Sequence, residues 1–202
     1  MVRAALRVLG FELKGLASIG LWIVRRRHGV PAGAIAVTYA KEQAFTLWLM
    51  LFAMAVETVV VDLLLVATGV PDWIRFTVLI ADVYGLLFGV MLAAASCTRP
   101  HVVTADEVRI RYAAYFDVRV PRDRIAAVRV SRNDNESQMV SVKDGRLRVA
   151  VASRTNVTIE LTEPVAFVRP LGSRAEASVI SFFADDPKAL ANALASMEGT
   201  SV

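Results

Sequence analysis

Three carboxylates stand where carboxylates are costly. Glu57, Asp62 and Asp82 lie inside two long apolar runs, AFTLWLMLFAMAVETVVVDLLLVA from Ala44 and WIRFTVLIADVYGLLFGVMLAAAS from Trp73. An ionisable group at bilayer depth normally faces a partner, a hydrated path or a second protein. The short turn Thr68-Gly69-Val70-Pro71-Asp72 joins the runs, so positions equally far from Val70 share a depth, counted at a helical rise of about 1.5 Å per residue. That counting puts Arg75 within about one turn of Asp62 and makes it the expected ionic partner. It sets Glu57 level with Tyr84, a hydrogen-bond donor, and Asp82 close by, with no Lys or Arg at that depth. Glu57 and Asp82 are therefore protonated or paired with a cation on another molecule. Three roles fit them: interhelical hydrogen bonding, a partner-binding contact, or a proton or cation site.

Other chemistry-bearing residues are sparse. His28 and His101 have no Cys or carboxylate at ligand spacing, which argues against a metal. Cys97 is the only cysteine, so no intramolecular disulfide or C-x-x-C site can form. Asp185-Asp186 reads as helix capping, Ser131 to Gln138 as a polar loop, and no Gly-rich phosphate cradle is present. The pattern excludes the usual catalytic arrangements, and no cofactor is expected. One set of charges could bind: if their strands adjoin, Arg109, Arg111, Arg119, Arg129, Arg146 and Arg148 make an outward stripe for lipid phosphates or an acidic protein. The alternative is a solvated face balanced by Asp117, Asp123 and Glu160.

The elements that must position these groups follow from patterning. Each apolar run exceeds the roughly 20 residues that cross ~30 Å of hydrocarbon, so residues 44–98 read as a transmembrane helical hairpin. Ala81, Gly85, Gly89 and Ala93, four residues apart, give the second helix a small-residue ridge for the first helix, a second copy or another membrane protein. The hairpin accounts for the 55% hydrophobic content and the mean hydropathy of +0.50. Residues 99–202 then have the length of one small globular domain. Residues 1–43 comprise an amphipathic helix and a juxtamembrane loop: Val2, Leu6, Leu9, Leu13, Leu16 and Ile23 recur at helical spacing, while Gly10, Glu12 and Lys14 argue against a crossing. A signal peptide is the competing reading, but no small-residue cleavage site follows.

Charge is placed unevenly. Arg3, Arg7, Lys14, Arg25, Arg26 and Arg27 face only Glu12 up to residue 27, an excess suited to anionic lipid rather than nucleic acid. With Arg25 to Arg27 and Lys41 before the first run, Arg99 after the second, and little charge in the turn, the positive-inside rule sets both termini in the cytoplasm of a plasma membrane. Tyr39, Trp48 and Trp73 suit interfacial anchors.

After His101 the period changes to two. Val108-Arg109-Ile110-Arg111-Tyr112, Phe116 to Val120, Val128 to Val130, Val140 to Lys143, Leu147 to Val151, Val157 to Leu161, Val165 to Val168 and Val179 to Phe183 read as short strands, with a hairpin at Lys143-Asp144-Gly145. A final helix starts at Asp186-Pro187, carries Leu190, Leu194 and Met197 on one stripe, and stops at Gly199. The expected fold class is an α+β membrane protein: amphipathic helix, two-helix hairpin, then a small antiparallel β-sandwich or barrel of pleckstrin-homology-like (PH-like) order, capped by a C-terminal helix.

Thr104 to Arg111, followed by Val120-Pro121-Arg122-Asp123-Arg124-Ile125-Ala126-Ala127-Val128, resembles the strand, turn and V-P-x-x-x-I-x-x-V corner of bacterial PH-like domains. Asn156 to Leu161, Glu163-Pro164-Val165 and Phe183 to Pro187 are similar to the same family. Paired with two transmembrane helices, the chain resembles small membrane proteins of high-GC Gram-positive bacteria. The resemblance implies fold and topology rather than an activity. The tip Ala113-Ala114-Tyr115 lacks the basic cluster of phosphoinositide-binding PH domains, so that ligand is not carried over. The reading that results is a non-enzymatic interaction module that scaffolds or regulates a membrane protein assembly, with a membrane protein or a second copy as partner. The alternatives are a subunit of an oligomeric transporter or channel using the carboxylates, and a module sensing anionic lipid.

Overall fold

The computed structural model describes residues 2–170 and 172–196, with side chains described for 8–170 and 172–195; Met197, Gly199 and the side chains of Arg3 and Arg7 lie outside that set. Helix α1 (Val2–Ile23) leads through strand β1 (Ile35–Val37) into the hairpin of α2 (Lys41–Ala67) and α3 (Asp72–Thr98). Strands follow as β2 (His101–Val103), β3 (Glu107–Tyr112), β4 (Phe116–Pro121), β5 (Ile125–Asn133), β6 (Val140–Lys143), β7 (Arg146–Val149), β8 (Thr155–Val168) and β9 (Arg174–Phe182). Helix α4 (Pro187–Ser196) closes the described chain.

Both hairpin helices are long and apolar enough to cross a membrane. Their surfaces differ along their length: Leu51 is the only buried residue of α2, whereas α3 buries Met91, Ala93 to Ser96 and Thr98 toward its C-terminal end. The small-residue ridge is used within the hairpin. Gly85 faces Met54, and a methyl group at Gly89 would lie 2.6 Å from Leu51 Cδ2.

Two sheets enclose the core. One runs β1-β2-β3-β4 and the other β5-β8-β9-β7-β6. The corner Val120-Pro121 with the single 3-10 turn Arg122–Arg124 carries the chain from the first sheet to the second. Alternation predicts the inward residues well: Val108, Ile110, Val118, Val120, Leu147, Val157, Ile159 and Ile180 share one buried cluster. Leu190, Ala193 and Leu194 of α4 join it, and Asp186 caps that helix, its Oδ1 accepting the Ala189 N–H at 2.9 Å.

The expectation of a purely antiparallel unit needs correcting. β9 inserts between β8 and β7 and runs parallel to β7, with Leu147 opposite Ile180. The two segments 157–161 and 165–168 are one strand, β8, with a register irregularity between Glu160 and Val165. That irregularity lets a long strand bend without ending.

Strand β1 is the second departure. Although it precedes the hairpin, it pairs antiparallel with β2, which follows it, placing Ile35 opposite Val103 and Val37 opposite His101. The pairing draws Tyr39 into the core, so Tyr39 is no interfacial anchor: its side chain is 0% exposed. Its hydroxyl accepts the Ala113 N–H at 2.7 Å, and its ring lies 4.7 Å from that of His101. Tyr39→Phe should lower unfolding stability by about 2 kcal/mol, because a buried N–H loses its acceptor. Denaturation of wild type and variant in the same detergent measures this; equal stability would show that water reaches Ala113.

Candidate functional site

The hairpin carboxylates separate into three environments. Asp62 takes a bidentate contact from Arg75, with Nε to Oδ1 at 2.7 Å and Nη2 to Oδ2 at 2.9 Å, as axial counting leads one to expect. Asp82 lines the same α2–α3 crevice, with Thr58, Leu65, Val78 and Leu79. It lies seven residues after Arg75, on the same face of α3. Glu57 is instead on the exposed surface of α2, among Phe52, Val56, Val59 and Val60, and no ion pair to it exists among the described residues. Glu57 and Asp82 thus face different surroundings and do not line one path within a single chain.

Tyr84 does not reach Glu57. Its hydroxyl donates to the carboxylate of Glu12 on α1. The reason is that α1 packs along α3 rather than standing alone as a surface helix. Gly15 lies so close to Met91 that an added methyl would sit 2.9 Å from Sδ and 3.0 Å from Cβ. Ser18 is fully buried beside α3, and its Oγ accepts from Arg99 Nε at 3.2 Å. Helix α1 therefore turns a small and polar stripe, Glu12, Gly15 and Ser18, toward α3. Leu9, Leu13, Leu16 and Ile23 are exposed, as is Lys14. This is the reverse of a helix in a water-soluble protein, which buries its apolar stripe. The periodicity of the leucines was readable in the sequence. The stripe of Glu12, Gly15 and Ser18, three residues apart, was the overlooked signal for packing on α3.

The β domain is clamped onto the hairpin end rather than tethered to it. Asp185 accepts the Lys41 N–H at 3.2 Å and so caps α2 from the far side of the fold, where α2 has no side-chain cap of its own. Tyr112 Oη donates to Gln43 Oε1 at 3.4 Å, and Arg154 pairs with Glu42. Tyr115, at the tip between β3 and β4, meets Phe11 of α1 edge-on, with ring centroids 5.4 Å apart, and lies 6.1 Å from Phe88 of α3. Burial pushes its phenol up to about 12.

The six arginines do not form a stripe. Arg109, Arg111 and Arg119 belong to the first sheet, and Arg129, Arg146 and Arg148 to the second. Arg109 is held by Asp117 at 2.8 Å, Arg129 contacts Glu160, and Arg148 contacts Glu136. Arg119 lies opposite Arg109 and is exposed beside Glu107. Arg111 points outward by alternation but is only 2% exposed, because the 28–29 segment covers it. Its guanidinium donates to His28 O at 2.8 Å and Gly29 O at 3.0 Å. Burial, followed by Arg109, holds its pKa down at about 10, so it keeps its charge at neutral pH. Gly29 fits there because its φ is +60° and a side chain would strike Arg111 Nη2 at 2.9 Å.

His101 is buried at 1% exposure between Tyr39 and Phe182. Its Nδ1 accepts the Arg111 N–H at 3.1 Å, so Nε2 carries the proton and donates to Phe183 O at 2.9 Å. It is a structural histidine. Among the described residues no three His, Cys, Asp or Glu side chains gather as a metal site. No protein-family model, curated protein or solved structure matches the chain at a significant level.

Proposed function

We propose that this chain is a non-enzymatic, membrane-anchored interaction module whose hairpin and PH-like cytoplasmic domain hold together or regulate a membrane protein assembly. The observation that carries the reading is Glu57, a carboxylate with no ion pair among the described residues, exposed on α2 among exposed apolar side chains. Such a group in hydrocarbon is stabilised by a donor or cation on a neighbouring molecule. The PH-like assignment draws support from two sheets joined by the Val120-Pro121 corner and closed by α4. The contacts Asp185–Lys41, Arg154–Glu42 and Tyr112–Gln43 would pass a displacement of the hairpin directly to the domain.

Glu57→Gln and Glu57→Ala should both leave the monomer folded and reduce retention of a specific companion, either a second copy or another membrane protein, by about tenfold, the cost expected for one lost charge-assisted hydrogen bond. Purification from native membranes in mild detergent, with quantitative mass spectrometry of what is retained, reads this out. The same companions at the same stoichiometry in wild type and both variants would reject the proposal.

A further inference from the structure

A groove lies where α1 ends beside the domain end of the hairpin. Trp22, Ile23, Cys97 and Thr98 line it together with Arg25, Arg26 and Arg27, and its volume is about 450 Å³. Beyond Trp22 and Cys97 a second hollow continues between the helices, lined by Leu47, Trp48 and Ala93 among others. The rings of Trp22 and Trp48 are 6.1 Å apart. Trp48 and Trp73 are separated along the hairpin by roughly 30 Å at the helical rise, which matches the hydrocarbon thickness. The groove thus opens at the level of one membrane interface.

Its charge is one-sided. Among the described residues no carboxylate lies within ion-pairing distance of Arg25, Arg26 or Arg27, and none lines the groove. All three side chains are exposed. The backbone that presents them is tied down. Arg25 N–H donates to Trp22 O at 3.0 Å and Arg26 N–H to Leu21 O at 2.8 Å, the paired bonds of a Schellman helix end, and His28 N–H donates to Thr98 O at 2.8 Å. In that motif the left-handed position favours glycine, yet arginine occupies it, at φ +54°. A cation is thus kept at the groove mouth in a backbone conformation that disfavours it.

From this geometry we infer that the groove holds one anionic phospholipid, its phosphate against Arg25 to Arg27 and its acyl chain along Trp22 toward Trp48. Arginine forks suit phosphate oxygens, and the apolar lining residues Trp22 and Ile23 suit the chain. The inference rests on the hairpin spanning a membrane, but not on the role of Glu57.

The test uses the full chain with Trp48→Phe and Trp73→Phe, leaving Trp22 as reporter, in phosphatidylcholine nanodiscs doped with brominated phosphatidylglycerol or brominated phosphatidylcholine. Trp22 should be quenched by the anionic lipid at a roughly tenfold lower mole fraction, and quenching should saturate. Arg26→Ser/Arg27→Ser should abolish the preference. Arg25→Gly should weaken it while leaving thermal stability equal or higher, since glycine suits that position, which separates loss of a ligand from loss of fold. Equal quenching by the two lipids, quenching that rises linearly without saturation, or loss of the preference when phosphate buffer replaces chloride at equal ionic strength would overturn the inference. Failure to enter the discs would overturn the membrane reading itself.

Discussion

Gly15→Leu should detach α1 from the hairpin and lower unfolding stability by about 3 kcal/mol, the upper end of ordinary overpacking costs. A single added methyl already meets Met91 at both Sδ and Cβ, and Cβ cannot swing aside as a side-chain terminus can. The larger side chain would separate the helices and leave the Tyr84–Glu12 bond and the buried Ser18 without their partners. Gly10→Leu and Gly20→Leu are the controls, because nothing lies within 4 Å of an added methyl at either position. Leucine has the higher helix propensity, so these two variants should be neutral or more stable. Limited proteolysis within residues 24–34, together with thermal unfolding in one detergent, reads all three. If Gly15→Leu behaved like the controls, α1 would not be docked on α3 in solution.

The second large effect is pH-dependent and belongs to His101. Burial lowers its pKa from the ordinary 6.5 to about 4. Below pH 6.5 the unfolded chain therefore takes up a proton that the folded chain refuses, and stability falls with pH until about pH 4, where the folded form also protonates. The total loss across that window is about 3 kcal/mol. His101→Phe should remove this part of the acid slope, at the expense of stability at neutral pH, since the Arg111 N–H and the Phe183 carbonyl lose their partner. Denaturation midpoints of wild type and variant from pH 7 to pH 4 measure the difference. Parallel curves would mean that His101 protonates freely in the folded protein.

The parts of the fold that were legible share a physical cause. A four-residue connection fixes the relative depth of α2 and α3, so the Asp62–Arg75 pair follows from counting. Alternation fixes which residues of β3 and β4 face inward, and a Pro after Asp186 marks the start of α4. Nothing comparable fixes α1. An irregular segment and β1 separate it from α2, so no count relates Glu12 to Tyr84, and the eye follows the leucines rather than the small and polar stripe that packs. The parallel pairing of β7 with β9 is likewise invisible, because alternation reports a face and not a neighbour. Arg111 shows a third limit: period two sends it outward, and the 28–29 segment then covers it.

The pairing of β1 with β2 imposes an order on biosynthesis. Residues 38 to 100 must leave the ribosome before Val37 can meet His101, an interval on the order of several seconds at about 5–20 residues per second. Through that interval the first strand waits while the hairpin is made. The hairpin is in effect an insertion within the β domain, and the domain can close only once both apolar helices have been committed. A fragment cut at Arg99 for study in isolation would therefore lack β1 and Tyr39 and would expose the edge of β2. Completion of the β domain thereby reports that the hairpin has already been placed.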